Sequence, residues 1–507
     1  MRRFHDDAVA IKDYSPAEER FNRRRRTAGL IIAPALFFLV LLLPFPGLTV
    51  QAHRLAAVLA LMVTLWMTEA LPLAITALLG PTLVVLLGVA SARAVFAPFA
   101  DPIIFLFIGS FMLAEAMFVH GLDRRLAYSA LASRWVGQSG LRLVVVYAAV
   151  AAFLSMWMSN TATTAMLFPL GLAVLAELGR AKRNDARFAQ YAIAMMLVTS
   201  FAASIGGMAT PVGTPPNLIG RRFLSELAGI EISFAGWMAI GLPLAIVMMV
   251  FVVFWMLVPR ARAVGLGEAG RDAVAAEYAK LGAISTGERN VMIAFGVAIA
   301  LWVLPGVLQV FLGATHPTVR QFNALVPEAV AALLGAMLLF LLPVNWSARR
   351  FTLSWEEAAR IDWGIILLFG GGLAMGQLAE STGLSPALGR WVSAQFPGVG
   401  EAGLTMVFTA VAIVMSEAAS NTAAANIVVP TAIAVAQAAG VSPLGPGLGA
   451  TFGASMGFMM PISTPPNAIV YSSGYIPIGA MMRYGIVLDI VGYFLIVATV
   501  LGLSALV

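Results

Sequence analysis

At 507 residues, 60% hydrophobic and 11% charged, the chain has too little charge to clothe a soluble domain. It has no cysteine, which excludes disulfides, thiolate metal centres and cysteine nucleophiles. The formal net charge of +6 could suit nucleic acid, but in so apolar a chain basic residues in loops serve to orient a membrane protein, and no nucleic-acid partner is expected.

The polar stretch 1–27 lacks the apolar core of a signal peptide and ends in Arg23–Arg26, directly before an apolar run. It reads as a cytoplasmic N-terminal tail. Apolar segments follow near 28–45, 53–70, 71–90 and 102–120, most of them long enough to cross ~30 Å of hydrocarbon. The pair 141–158 and 161–178 has a polar turn at its centre and Pro169 soon after. It reads as a re-entrant helical hairpin over 140–179, buried in protein or lining a cavity. Segments 188–225 and 236–258 complete a first half, 28–258. Residues 259–288 form a polar cytoplasmic linker. The second half, 289–507, has segments near 289–312, 325–343 and 361–382, a second hairpin over 400–440 with Pro430, then 445–473 and 480–507. Two amphipathic stretches, 122–136 and 385–396, suit arms lying along the membrane surface. The pattern predicts an all-α polytopic membrane protein with about eleven transmembrane helices and two re-entrant hairpins. The alternating segments of a membrane β-barrel are missing.

Charge agrees with this topology. With the N-terminus cytoplasmic and the C-terminus extracytoplasmic, only Arg54, Arg93, Arg221, Arg222, Arg320 and Arg390 of the 31 Lys and Arg residues fall outside. The inside set includes Arg124, Arg125, Arg134, Arg183 and Arg260.

The halves repeat each other. Phe107-Ile108-Gly109-Ser110 with Gly121-Leu122 resembles Gly370-Gly371-Gly372 with Gly383-Leu384. Ser159-Asn160-Thr161-Ala162 recurs as Ser420-Asn421-Thr422-Ala423, and Thr214-Pro215-Pro216-Asn217 as Thr464-Pro465-Pro466-Asn467. The order is the same, at offsets of 262 (Gly121 to Gly383), 261 (Ser159 to Ser420) and 250 (Thr214 to Thr464). An odd number of spans between equivalent points would invert the second copy, as in transporters built from inverted repeats.

The repeated motifs carry polar chemistry. Each Ser-Asn-Thr lies at a hairpin tip where a helix begins, and a helix N-terminus offers unpaired N–H groups and a positive dipole end to an anion. Two such tips facing each other suit a substrate with two carboxylates. The same hydroxyl, amide and backbone oxygens suit Na⁺, and the Thr-Pro-Pro-Asn segments break their helices and free carbonyls at membrane depth. Neither motif contains Lys or Arg, so bound cations would have to balance a dianion. Acidic residues within or beside apolar segments are Glu69, Glu115, Asp362 and Glu417; intramembrane carboxylates are costly and often functional. Glu417, three residues before the second Ser-Asn-Thr, corresponds to Met156 in the first half. Glu69, before Leu71-Pro72, is expected to fix a helix end. The histidines His5, His53, His120 and His316 are scattered, with no metal-ligand pair.

Trp66-Met67-Thr68-Glu69-Ala70-Leu71-Pro72, the paired Ser-Asn-Thr tips and the paired Thr-Pro-Pro-Asn breaks resemble the divalent anion/sodium symporter family, over roughly residues 28–507. The resemblance implies two opposed hairpins, a homodimer in a bacterial-type inner membrane, and an elevator motion of a transport unit against a scaffold. It implies C4-dicarboxylates (succinate, malate or fumarate), citrate or sulfate as substrates. It implies Na⁺ as coupling ion, with no enzyme cofactor. By position, one sodium site would comprise Ser155, Ser159, Asn160 and Gly213, and the other Ser416, Ser420, Asn421 and Ser463. Substrate would meet Asn160, Thr161, Ser420, Asn421, Thr422, Thr464 and Pro465.

The leading expectation is therefore a Na⁺-coupled dicarboxylate symporter. A dicarboxylate exchanger of the same fold is the alternative. An intramembrane enzyme would need no duplicated polar site, and a channel would need a continuous polar pore.

Overall fold

A computed structural model describes residues 16–182, 186–262, 264–265, 267–313, 315–395 and 398–504. Most of the polar tail, with His5, lies outside these residues, as does Arg183. The described chain is almost wholly helical, its one sheet being a two-stranded ribbon of β1 (Pro343–Asn345) and β2 (Arg350–Phe351).

The first half contains α1 (Pro16–Leu42), α2 (Val50–Thr68), α3 (Leu73–Leu86), α4 (Pro102–His120), α5 (Leu122–Leu131), α6 (Gly140–Ser155), α7 (Asn160–Lys182), α8 (Ala186–Gly207), α9 (Pro215–Ala228) and α10 (Phe234–Val252). α11 (Gly267–Lys280) lies in the polar linker. The second half contains α12 (Thr286–Leu312), α13 (Pro317–Leu325), α14 (Glu328–Leu341), α15 (Trp363–Ser381), α16 (Leu384–Gln395), α17 (Glu401–Ala418), α18 (Asn421–Ala438), α19 (Leu444–Gly453), α20 (Pro465–Tyr471) and α21 (Ile478–Ser504). Among the described residues, ten helices are long and apolar enough to cross a bilayer. There are eleven if α13 and α14, which meet at 55°, form one span. Large apolar side chains such as Leu42, Phe254, Val310, Phe311 and Phe494 stand exposed, as lipid-facing helices require.

Helix ends follow the local sequence. Ser285 opens α12 with a capping box: its hydroxyl accepts from the Glu288 N–H, and Glu288 accepts from the Ser285 N–H. Proline at the first turn starts α4, α9 and α20, where its missing N–H removes no helical bond. Helix α1 begins at Pro16, so Arg23–Arg26 are helical. Arg25 and Arg26 reach Glu69 at 3.0 and 3.7 Å. Glu69 closes α2 in the left-handed region, at φ 46°, a conformation that L residues seldom adopt. The two guanidiniums hold it there and dock α1 against the bend between α2 and α3.

The repeated glycines pack helices. A Cβ on Gly109 would lie 2.7 Å from the Ala332 carbonyl carbon, and one on Gly371 would lie 2.3 Å from the Ala77 carbonyl oxygen. Thus α4 closes on α14 as α15 closes on α3, through the small residues that let membrane helices approach. Part of the repeat is therefore a packing device. In the arm α5, Arg125 Nε bonds Glu288 at 2.6 Å, and its guanidinium also donates to the carbonyls of Leu281, Gly282 and Ala283. Its neighbour Asp123 is fully buried, and burial pushes its carboxyl up to about 6.

Candidate functional site

Both hairpin tips start a helix on one cavity. Ser159 begins α7: its hydroxyl accepts from the Ala162 N–H at 3.2 Å and its carbonyl from Thr163 at 3.0 Å. Ser420 caps α18 by backbone alone, leaving its hydroxyl unused by the cap. Two further helices start beside them. The chain leaves α8 at Gly207 and resumes at Pro215; it leaves α19 at Gly453 and resumes at Pro465. Each break leaves carbonyls without helical partners, which at membrane depth must be satisfied internally. An asparagine does this in each half, joined in the second by the Ser463 hydroxyl. Asn217 Nδ2 donates to Gly207 O and Thr210 O at 2.9 and 2.7 Å. Asn467 Nδ2 donates to Gly457 O and Met460 O at 2.9 and 3.0 Å. These partners are equivalent at an offset of 250, so the repeat extends to individual hydrogen bonds.

The cavity, of about 410 Å³, is lined by Ser159, Asn160 and Thr161 with Thr214 and Pro215 from the first half. Ser420, Asn421 and Thr422 with Ser463, Thr464 and Pro465 line it from the second. Pro72, Leu73, Asp362 and Leu368 line it as well. All seven expected substrate residues line it together. Thr214 and Pro215, which the sequence reading omitted, line it as well; the repeat itself was the signal, since they correspond to Thr464 and Pro465. No Lys or Arg lines this cavity. Four helix N-termini, those of α7, α9, α18 and α20, border it, and Asp362 is the one acidic residue on its wall.

Behind each tip lies an oxygen cluster. In the first half, Ser155 Oγ donates to Asn160 Oδ1 at 2.6 Å. Gly213 approaches so closely that a Cβ on it would stand 2.5 Å from Gly207 O and 2.9 Å from Ser155 O. In the second half, Ser416 Oγ lies 2.7 Å from Asn421 Oδ1 and 2.8 Å from Ala454 O. A Cβ on Gly457 would meet those same Asn421 and Ser416 oxygens at 3.1 and 3.2 Å. Of the expected sodium ligands, Ser155 and Ser416 are fully buried, and Ser159, Asn160, Ser420, Asn421 and Ser463 also line the cavity. Ser463 Oγ bonds Met460 O at 2.7 Å. Neutral oxygens in such number are hard donors suited to an alkali cation.

The first tip is welded to its neighbour. A Cβ on Gly206 would lie 2.1 Å from Ala152 O and 2.5 Å from Ala152 Cα, so α8 and α6 touch backbone to backbone. A second cavity, of about 510 Å³, lies between α4, α9, α12 and α14. There Arg221 bonds both Glu328 oxygens at 3.0 Å, and Arg222 reaches Asp101 at 2.5 Å and also pairs with Glu226.

The family model of the sodium:sulfate symporter transmembrane region matches residues 24–504. A sodium-dependent dicarboxylate transporter (SdcS) of Staphylococcus saprophyticus is 34% identical over 490 residues, covering 94% of this chain and 92% of that protein. The Staphylococcus aureus protein of that name is 31% identical over 483 residues, covering 93% and 90%. An uncharacterized transporter of Haemophilus influenzae is 33% identical over 478 residues, covering 92% and 95%. Among solved structures, the YdaH transporter of Alcanivorax borkumensis is similar in fold, with a TM-score of 0.53 at 14% identity over 95% of this chain and 96% of its own.

Proposed function

Since this chain belongs to the family of the sodium:sulfate symporter transmembrane region, and is a membrane transporter rather than an enzyme, we propose that it carries C4-dicarboxylates such as succinate coupled to Na⁺. The observation that carries the reading is the cavity itself. Two symmetric pairs of helix N-termini meet there, each pair with an amide and hydroxyls, and no basic side chain is among them. Each carboxylate of a dianion has one pair of helix ends to meet. The sodium-dependent dicarboxylate transporters of the two staphylococci, similar over nine-tenths of the chain, point the same way. A volume of about 410 Å³ falls within the ~300–1,000 Å³ of small-molecule sites.

Na⁺ sits, in this reading, in the two oxygen clusters behind the tips, against Ser155, Ser159, Asn160 and Gly213 and against Ser416, Ser420, Asn421 and Ser463. Asn160 and Asn421 then face both ways, each turning its side-chain oxygen to the cation and its amide to the anion. Cation binding orders the tips and supplies the positive charge that the cavity lacks, so the dianion binds well only when Na⁺ is present. The two hairpins, with α8–α10 and α19–α21, form the moving unit of a homodimeric elevator, while α1–α4 and α12–α15 form its scaffold.

The test is labelled succinate uptake into proteoliposomes, under an inward Na⁺ gradient or K⁺, with and without internal succinate. Uptake that needs Na⁺ and no internal substrate is expected. Uptake that ignores Na⁺ and needs internal succinate makes the protein an exchanger and reduces the oxygen clusters to anion supports.

A further inference from the structure

The two oxygen clusters are alike in their ligands but not in what braces them. In the first half the brace is a neutral hydroxyl: Thr210 Oγ1, on the loop after α8, donates to Met156 O on the hairpin at 2.5 Å. In the second half the direction reverses. Position 460 is methionine, and Glu417, at the end of α17, reaches out from the hairpin. Its Oε1 accepts from the backbone N–H groups of Phe458 and Met459 at 2.5 and 2.7 Å. That loop carries Ala454 O and Gly457, whose backbone borders the Ser416 and Asn421 oxygens.

Glu417 has a second contact. Asp489, from α21, lies within hydrogen-bonding reach of it. Asp489 is 5% exposed, and neither of its oxygens, nor Glu417 Oε2, has a donor among the described residues. No cationic side chain pairs with either carboxyl among these residues. The counterpart of α21 in the first half, α10, holds no charged residue, and position 156 is methionine, so this pair has no equivalent there. Two carboxyl groups can bond to each other only with one proton between them. The last turn of a helix, where the dipole is negative, is a costly place for a bare carboxylate. Among the described residues Asp489 meets Glu417, and Glu417 meets Asp489 on one side and the loop on the other.

We propose that Asp489 is a positioning residue for the second cation cluster: it fixes Glu417, which fixes the backbone of residues 457–459 against Ser416 and Asn421. The inference rests on the Na⁺-coupled reading above. It makes the clusters unequal, because the second is held by a longer, two-carboxyl chain of contacts. Loss of Asp489 leaves Glu417 free to turn from Phe458 and Met459, and the loop slackens at its cation-facing backbone.

The test uses the full chain in proteoliposomes, with uptake measured against Na⁺ at saturating succinate and against succinate at saturating Na⁺. Asp489→Ala should raise the half-saturating Na⁺ concentration about tenfold and leave the succinate KM within about twofold. Asp489→Asn, whose amide can still donate to Glu417, should restore the Na⁺ dependence to within about threefold. Should Asp489→Ala fail to fold, Asp489→Ser, polar but too short to reach Glu417, carries the same expectation. An unchanged Na⁺ dependence in Asp489→Ala or its serine substitute overturns the proposal. So does an Asn variant as impaired as the Ala one, or a parallel change in succinate KM. Uptake that ignores Na⁺ in the unmodified chain overturns the symport reading and this inference together, and is seen before any variant is made.

Discussion

Ser200 Oγ donates to Asn467 Oδ1 at 2.5 Å, so a hydroxyl from the first half completes the asparagine that caps the broken helix of the second. The reciprocal bond is missing. Position 450, the equivalent of Ser200, is alanine, and the Asn217 Oδ1 atom is buried without a partner among the described residues. Removing the hydroxyl by Ser200→Ala orphans Asn467 Oδ1 and should cost about 1–3 kcal/mol. Ala450→Ser should supply the missing donor and gain about 0.5–1.5 kcal/mol. Thermal unfolding of the purified protein in one detergent checks both. Melting temperatures that move in opposite directions are expected, and two falls would mean that the site at 450 has no room for an oxygen.

Asn160→Ala and Asn421→Ala each remove an oxygen from a cation cluster and an amide from the cavity. Each bond to a charged group contributes about 1.5–3 kcal/mol, so each variant should lose at least about tenfold in succinate uptake. Both should still elute as folded protein, because neither amide supports a helix break; Asn217 and Asn467 do that. Near-normal uptake in both would sink the assignment of the tips.

Arg221 and Glu328 join α9 to α14, across the boundary between the proposed moving unit and its scaffold. A pair made on one side of a motion and broken on the other sets the rate of that motion more than affinity. Arg221→Gln and Glu328→Gln should each slow maximal uptake about three- to tenfold, with KM within about twofold. The double variant should be less impaired than the product of the singles, by an interaction of about 1 kcal/mol or more. Strict additivity would show that the pair does not act as a unit.

Asp123 gives a pH prediction. Its carboxyl is raised from 3.8 to about 6 by burial in the arm, so the folded protein holds a proton that the unfolded chain has released. Stability therefore falls as pH rises from about 4 to about 6, and the cost is complete above that. Asp123→Asn should remove this slope and stabilise the protein at pH 7.5 by about 2–3 kcal/mol. Melting curves from pH 4.5 to 7.5 check the sign: the variant should gain most at the alkaline end.

The sequence made the membrane architecture legible because lipid leaves a chain few choices. Apolar runs of sufficient length must be helices, and the polar interruptions at Ser159 and Ser420 stood out against them. The repeat made the cavity legible, since Ser-Asn-Thr and Thr-Pro-Pro-Asn recur in order. It also named Thr214 and Pro215, whose first-half positions went unused. What stayed hidden was set by contacts far apart in the chain. Glu417 was conspicuous as an acid beside a tip, but its partners come from positions 458, 459 and 489, and only packing brings them together. Asp489 gave one signal, a lone acid in the apolar run 480–507. The role of Arg25 and Arg26 in holding Glu69 was masked by an equally good reading of the basic cluster as a topology signal. The glycines of the first motif stood in the sequence only as part of the repeat, whereas Gly109 and Gly371 are places where two helices touch.

The backbone contact between Gly206 and Ala152 bears on how solute could reach the cavity. A tip that lifted like a lid would have to draw α6 away from α8, parting this backbone contact together with the Tyr147–Thr199 and Tyr191–Gly140 hydrogen bonds along the same seam. In the proposed elevator α6, α7 and α8 would travel as one block, so a bulky residue at position 206 would pry apart that block rather than jam a gate.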